Sequence, residues 1–209
     1  MPPKPKFTKE QIVFAALELV SQQGVDALTA RELGSRLGSS ARPIFTVFSG
    51  MEEVRREVRK AALTRFESFA EKAIHYQPAF KQFGMQMILF AMDEPKLYQL
   101  IWMSENQQAR CFEDIFPELG DTATVCIQVI RRDYGLTEAE AMALFKQTWI
   151  FTFGLGALCA AKVCHFSFEE INQLLGLEFM SMLSFIKSGR LDQPTPVPQR
   201  MRYEDTGIF

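Results

Sequence analysis

Apolar residues recur along the chain at intervals of three and four, and no run of alternating β-branched residues interrupts them, so the pattern predicts an all-α protein. Five helix starts carry a signature of their own: a hydroxyl residue with Glu or Gln three places later, each side chain satisfying a backbone N–H that the helix leaves unpaired. The pairs are Thr8/Gln11, Thr29/Glu32, Ser49/Glu52, Thr137/Glu140 and Ser167/Glu170. Three starts add an apolar residue before the cap facing one inside the helix, namely Phe7/Ile12, Leu28/Leu33 and Phe166/Ile171.

A first helix over about 8–23 turns Ile12, Ala15, Ala16, Leu19 and Val20 to one face and ends at Gly24. A second, over 29–37, turns Ala30, Leu33 and Leu37 inward and stops at Gly38. Ile44 and Phe48 open a third after a turn of about three residues, the spacing of a helix-turn-helix. A long fourth helix from Met51 to about Tyr76, striped by Val54, Val58, Ala61, Ala62, Phe66 and Phe69, links this head to the remainder. Helical patterns over about 79–92, 95–110, 113–133, 138–163 and 168–188 bring the total to about nine, with breaks at Pro95, Pro117, Gly135 and 164–166. The expected units are a head over 1–50, a helical bundle over 51–188, and a tail over 189–209 whose Pro194, Pro196 and Pro198 predict an extended or mobile segment.

Charge sharpens this division. A net charge of −2 argues against a chain that coats nucleic acid, but residues 1–60 carry ten Lys/Arg against seven Asp/Glu, and the rest thirteen against eighteen. A basic head on an acidic body fits local contact with DNA. At 47% hydrophobic and 12% aromatic the chain can build a core, which excludes the disordered classes. The apolar run from Trp149 to Ala161 is shorter than the ~20 residues of a membrane span, and no apolar stretch follows Met1–Lys6 to act as an export signal, so the expected location is cytoplasmic, away from membranes. There Cys111, Cys126, Cys159 and Cys164 read as reduced core thiols. His75 and His165 join no recognisable triad and no Gly-rich phosphate loop is present, so neither an enzyme nor a cofactor is expected. Cys159, Cys164 and His165 lack zinc spacing and a fourth ligand, and no metal is expected either.

In a helix-turn-helix the second helix enters the major groove while groups at the first helix's N-terminus hold phosphates. Thr29 caps such a terminus with Arg31 beside it. Ser40, Arg42, Pro43 and Thr46 are expected on the outside, since Ile44 and Phe48 turn inward, and Arg42 is the natural base reader because its fork can bond guanine O6 and N7 together. Alone, Arg31 and Arg42 would pass for solvated charges.

The order and spacing of the surrounding residues change that reading. Thr8 to Ile12, Ala15-Ala16-Leu17-Glu18-Leu19, Gly24, the run Leu28 to Ser40, then Ile44-Phe45-Thr46-Val47-Phe48 and Glu52-Glu53-Val54 resemble the DNA-binding region of the TetR family over about residues 8–60. The resemblance implies a dimeric, usually repressing regulator whose C-terminal domain binds an inducer and whose last two helices form a four-helix dimer interface. Family members commonly place Tyr at Phe45, a polar residue at Val47 and Lys at Met51, each serving phosphates, so the apolar residues here predict weaker binding with a flatter salt dependence. Arg42, Arg55, Arg56 and the arm Lys4/Lys6/Lys9 are the candidates to compensate. Gly34 stands where the family usually carries Ala, a change that costs a helix interior about 1 kcal/mol unless close packing offsets it.

In the body, Phe83, Met87, Phe90, Trp102, Met103, Phe112, Phe116, Trp149 and Phe153 are individually core fillers and together suit an apolar pocket for a small hydrophobic or aromatic ligand. Gly154, Gly156, Ala157, Ala160 and Ala161 allow close helix approach. The last helix is apolar around much of its girth through Ile171, Leu174, Leu175, Phe179, Met182, Leu183 and Ile186, enough for a core face and a twofold partner. Pairing would set two reading heads about 34–36 Å apart on a palindromic operator in double-stranded DNA. The alternative is a protein of the same shape that has lost sequence-specific DNA binding and acts as a ligand-binding or interaction module.

Overall fold

A computed structural model of the chain describes residues 5–71, 79–105, 110–119, 121–191 and 193. Among these it contains eight α-helices and no strand: α1 (Lys9–Gln23), α2 (Ala30–Arg36), α3 (Met51–Glu71), α4 (Ala79–Asp93), α5 (Pro95–Trp102), α6 (Asp121–Tyr134), α7 (Glu138–Ala160) and α8 (Phe168–Lys187). Three 3-10 segments, Val25–Ala27, Ile44–Thr46 and Phe112–Leu119, complete it. The end expected for the fourth helix near Tyr76, His75, and the tail prolines Pro194, Pro196 and Pro198 lie outside the described residues.

Local chemistry fixes most helix starts. Thr8, Thr137 and Ser167 each close a full capping box with Gln11, Glu140 and Glu170, and Thr29 accepts the Glu32 N–H at 3.2 Å. At α3 the acidic partner is Glu53, not Glu52: its carboxylate accepts from both the N–H and the hydroxyl of Ser49, each at 2.8 Å. The helix begins at Met51, one residue later than a Ser49 cap requires, and Glu52 pairs with Arg55 instead.

Three expected helices are shorter. The helix expected over 95–110 ends at Trp102, where the Ser104 hydroxyl donates to the Leu100 carbonyl at 2.9 Å and draws off a carbonyl the helix would need. The pattern over 113–133 divides into the 3-10 segment around Pro117, which has no N–H to continue an α-helix, and then α6. The expected recognition helix is a single 3-10 turn over Ile44–Thr46. Pro43 donates nothing and disfavours helical geometry at Arg42, so the segment cannot extend backwards, and it closes where the Ile44 carbonyl accepts from both Val47 at 3.1 Å and Phe48 at 3.0 Å.

The core runs without a break from head to body. Ile12, Leu19, Leu33, Ile44, Phe48, Val54 and Val58 join Phe90, Leu97, Tyr98 and Ile101 in one buried cluster. Phe145, Ile130 and Phe179 anchor a second between α6, α7 and α8, and Ile88, Leu155 and Ile171 a third between α4, α7 and α8. Helix α7 is long and apolar enough to cross a membrane by length and composition; in the fold it is the central helix, packed against α4, α5, α6 and α8. Tyr98 is completely buried against it and donates its hydroxyl to the Phe153 carbonyl at 3.0 Å. A Cβ at Gly156 would collide with that phenol oxygen, so glycine is what lets α5 and α7 touch. Close by, the Gln99 amide donates to the Ala160 carbonyl at 2.9 Å.

Polar contacts tie the head to the body as well. Arg65 of α3 pairs with Glu18 of α1 at 3.0 Å and with Glu94 at the α4–α5 corner, while the Ser21 hydroxyl donates to Glu94 at 2.6 Å. Arg59 reaches the Ile101 carbonyl at 2.7 Å.

Candidate DNA-reading surface and ligand cavity

Helix α2 and the turn after it form the candidate reading surface. Gly38 adopts a φ of +63°, a left-handed value that ends α2 and turns the chain back across it. The Ser39 N–H then donates to the Gly34 carbonyl at 2.9 Å. Gly34 is buried, and a Cβ there would stand 2.9 Å from the backbone of both Ser40 and Ala41. Close backbone contact therefore replaces the side chain and seats the turn directly on α2.

Thr29, Arg31, Ser40, Arg42, Phe45 and Thr46 are all exposed on this surface and Pro43 is half-buried, while Ile44 and Phe48 plug into the core. Thr46 is internally committed, its hydroxyl donating to the Pro43 carbonyl at 2.7 Å. Phe45, 48% exposed, presents its ring outward. Arg31 and Arg42 make no ion pair among the described residues, so their donors are available. Val47 and Met51 pack partly buried against the head's core and Phe45 does not.

The candidate compensating cations fall into two groups. Lys9 pairs with Glu57 at 3.3 Å and Arg55 with Glu52, so both charges are locally offset. Lys6 instead donates to the Ser39 hydroxyl at 3.1 Å, at the edge of the reading turn. Lys4 lies outside the described residues.

In the body, a cavity of about 20 Å³ lies between α4, α7 and α8, lined by Phe83, Gly84, Met87, Phe145, Thr148, Trp149, Phe151, Thr152, Leu175 and Phe179, with Lys81 and Glu178 as its charged groups. A second, of about 10 Å³, reaches the link helix through Leu63, Phe66 and Glu67, and includes Trp102 and Ala123. Phe83, Met87, Phe145 and Trp149 line both and form the partition between them. Each space holds at most about one water, so neither has room for a ligand as it stands. The Thr148 and Thr152 hydroxyls donate to the carbonyls of Leu144 and Thr148, both at 2.7 Å, and offer a guest only lone pairs.

Of the residues singled out for a pocket, Phe83, Met87, Trp102 and Trp149 line these cavities. Phe153 stacks on Trp149 at 5.5 Å and Phe112 meets its edge at 5.3 Å, both behind the wall. Phe90 is fully buried against Phe66, and Met103 is 45% exposed beyond the end of α5, away from the cavity. The side chain of Phe116 lies outside the described residues. Sequence reasoning missed Lys81, Phe145, Thr148, Thr152 and Phe179, whose apolar or mixed stretches carry no local mark of the cavity they share.

Residues 12–58 match the model for bacterial regulatory proteins of the tetR family. No curated protein sequence matches the chain. Among solved structures, the fold is similar to that of a single-residue variant of TetR from Acinetobacter baumannii AYE in complex with minocycline, with a TM-score of 0.60 and 16% identity over 88% of this chain and 99% of that one. It is also similar to a protein of Mesorhizobium loti MAFF303099 assigned to the TetR family of transcriptional regulators, with a TM-score of 0.57 and 16% identity over 83% and 93% of the two chains. At that identity the likeness is one of fold.

Proposed function

We propose that the chain is a regulator of the TetR type, a cytoplasmic homodimeric repressor which a small, mainly apolar molecule releases from a palindromic operator; the match of residues 12–58 to the tetR-family model and the shared fold support this. The observation that carries this reading is a pair of exposed guanidinium groups without an ion pair among the described residues, Arg31 on α2 and Arg42 beside Ser40, Phe45 and Thr46 on a turn whose backbone rests directly on α2. In this reading Arg42 contacts a base and Thr29, Arg31 and Ser40 hold phosphates, with Pro43 and Phe45 supplying apolar contact; Thr46 joins the phosphate contacts only by giving up its bond to the Pro43 carbonyl. Residues 1–50 act as the reading head and 51–188 as the sensing and dimerising body.

Dimerisation is supported by an exposed apolar stripe on the last two helices. Ile150, Gly154 and Leu158 recur at every fourth position of α7, and Leu177 and Ser184 are two turns apart on α8, all of them exposed. Helix α3 supports signal transfer: Val54 and Val58 pack beneath the head while Leu63, Phe66 and Glu67 line the inner cavity. A guest that opens the cavity must displace one of these walls, and linkage requires it to weaken DNA binding by the energy with which DNA opposes its own binding.

Selection of bound sequences from random duplex DNA tests the reading, with enrichment of a palindrome as the expected result. Arg42→Ala should then cost about 1–3 kcal/mol of affinity and relax preference at one base pair per half-site. A folded, dimeric protein that enriches no sequence would instead support the second reading, a regulator-like module without DNA binding, which the inward packing of Val47 and Met51 favours.

A further inference from the structure

Outside the inner cavity lies a roomier cleft of about 210 Å³ lined by Lys81, Tyr134, Gly176, Phe179 and Met180. Lys81 and Phe179 line both spaces and so form the wall between them. The Lys81 ammonium lies across α8, only 3.2 Å from where a Cβ of Gly176 would be, so the missing side chain gives it its seat. It makes no ion pair among the described residues. Tyr134 leans on Phe179 with ring centroids 5.0 Å apart, and burial together with neighbouring Asp133 keeps its phenol protonated and able to donate. The Asp133 carboxylate is itself occupied by Arg132 at 2.7 Å. The cleft thus offers two donors and no acidic lining, and the inner space behind it is mostly apolar, with Glu178 as its acid. Glu178 faces the inner cavity, where the Gln147 amide donates to it at 3.4 Å, and is not part of the cleft.

We propose that the ligand is an amphipathic anion, its acid headgroup held in the cleft between Lys81 and Tyr134 and its apolar body reaching inward past Phe179. This rests on the ligand-responsive reading above and specifies the class of ligand. A neutral hydrophobe would leave the ammonium unmatched, whereas an acid gains a charge-assisted hydrogen bond. Entry of the apolar body swings Phe179 aside and presses on the partition formed by Phe83, Met87, Phe145 and Trp149.

Two dyes with one ring system test this: 1-anilinonaphthalene-8-sulfonate, which is anionic, and N-phenyl-1-naphthylamine, which is neutral. Titrated by fluorescence into the full chain, the sulfonate should bind about tenfold more tightly, as one charge-assisted contact allows. Lys81→Gln should abolish that preference without weakening the neutral dye, and Tyr134→Phe should lower sulfonate affinity two- to threefold. Unchanged thermal unfolding of both variants shows that the fold survives. Equal affinity for the two dyes, a preference that persists in Lys81→Gln, or binding of neither dye would overturn the proposal. The assay contains no DNA, so a chain that prefers the sulfonate through Lys81 but enriches no operator would keep this inference and lose the repressor reading.

Discussion

Arg65 of α3 is ion-paired with Glu94 at the corner between α4 and α5, and Glu94, its side chain only 12% exposed, also accepts from Ser21 of α1. One carboxylate thus joins the head, the link helix and the body. An exposed pair contributes about 0–1 kcal/mol and breaking a buried one costs about 3–5 kcal/mol; this one is intermediate. Glu94→Gln should lower stability by about 1–2 kcal/mol in denaturant titration. It should also shrink the drop in operator affinity that a bound ligand produces. An unchanged unfolding midpoint would remove the clamp from the account.

Gly34→Ala sets two effects against each other. Alanine favours the helix by about 1 kcal/mol, but its methyl group meets the Ser40–Ala41 backbone at 2.9 Å, and overpacking of this kind costs about 1–3 kcal/mol. The expected balance is a small loss of stability with a larger loss of operator affinity, because the displaced atoms belong to the reading turn. Retained DNA affinity would show that the turn tolerates the shift.

Lys6 and Lys9 should separate in salt dependence. Lys9 is offset by Glu57, whereas Lys6 lies beside Ser39. Lys6→Met should lower the slope of log affinity against log salt by about one, and Lys9→Met should change it little. Equal slopes for the two variants would place the arm away from the phosphates.

Acid stability should follow the capping carboxylates. Backbone N–H donors, with the cap hydroxyls behind them, hold Glu53, Glu140 and Glu170 below the usual glutamate value of 4.5. A lowered folded-state pKa means stability that is present above the unfolded value and is lost as pH falls through the folded one. The double variant Glu140→Gln with Glu170→Gln should therefore unfold with a shallower pH dependence below about 4.5. Thermal melts over that range measure it, and parallel curves for variant and parent would contradict it.

Helix starts were readable in the sequence because a cap is a contact between residues three apart. The helix-turn-helix was readable because its glycines and apolar positions are closely spaced. The reading turn's true shape was not, since Pro43 and the Gly34 contact shorten a segment that periodicity alone makes helical. Nor was the cleft: Lys81 and Gly176 meet only when α4 packs on α8, and Glu94 meets Arg65 only when α3 crosses the α4–α5 corner. Pairings over such distances leave no periodic trace.

Tyr98 filling the gap left by Gly156, together with the Gln99 bond to Ala160, acts as a rivet between α5 and α7. Neither helix can slide along the other without pulling a phenol out of its socket, so the two form a fixed chassis. Because α1 rests on α5 and α4 packs along α7, the head's first helix stands on that same chassis, and in the proposed regulator movement between body and head would fall to α3.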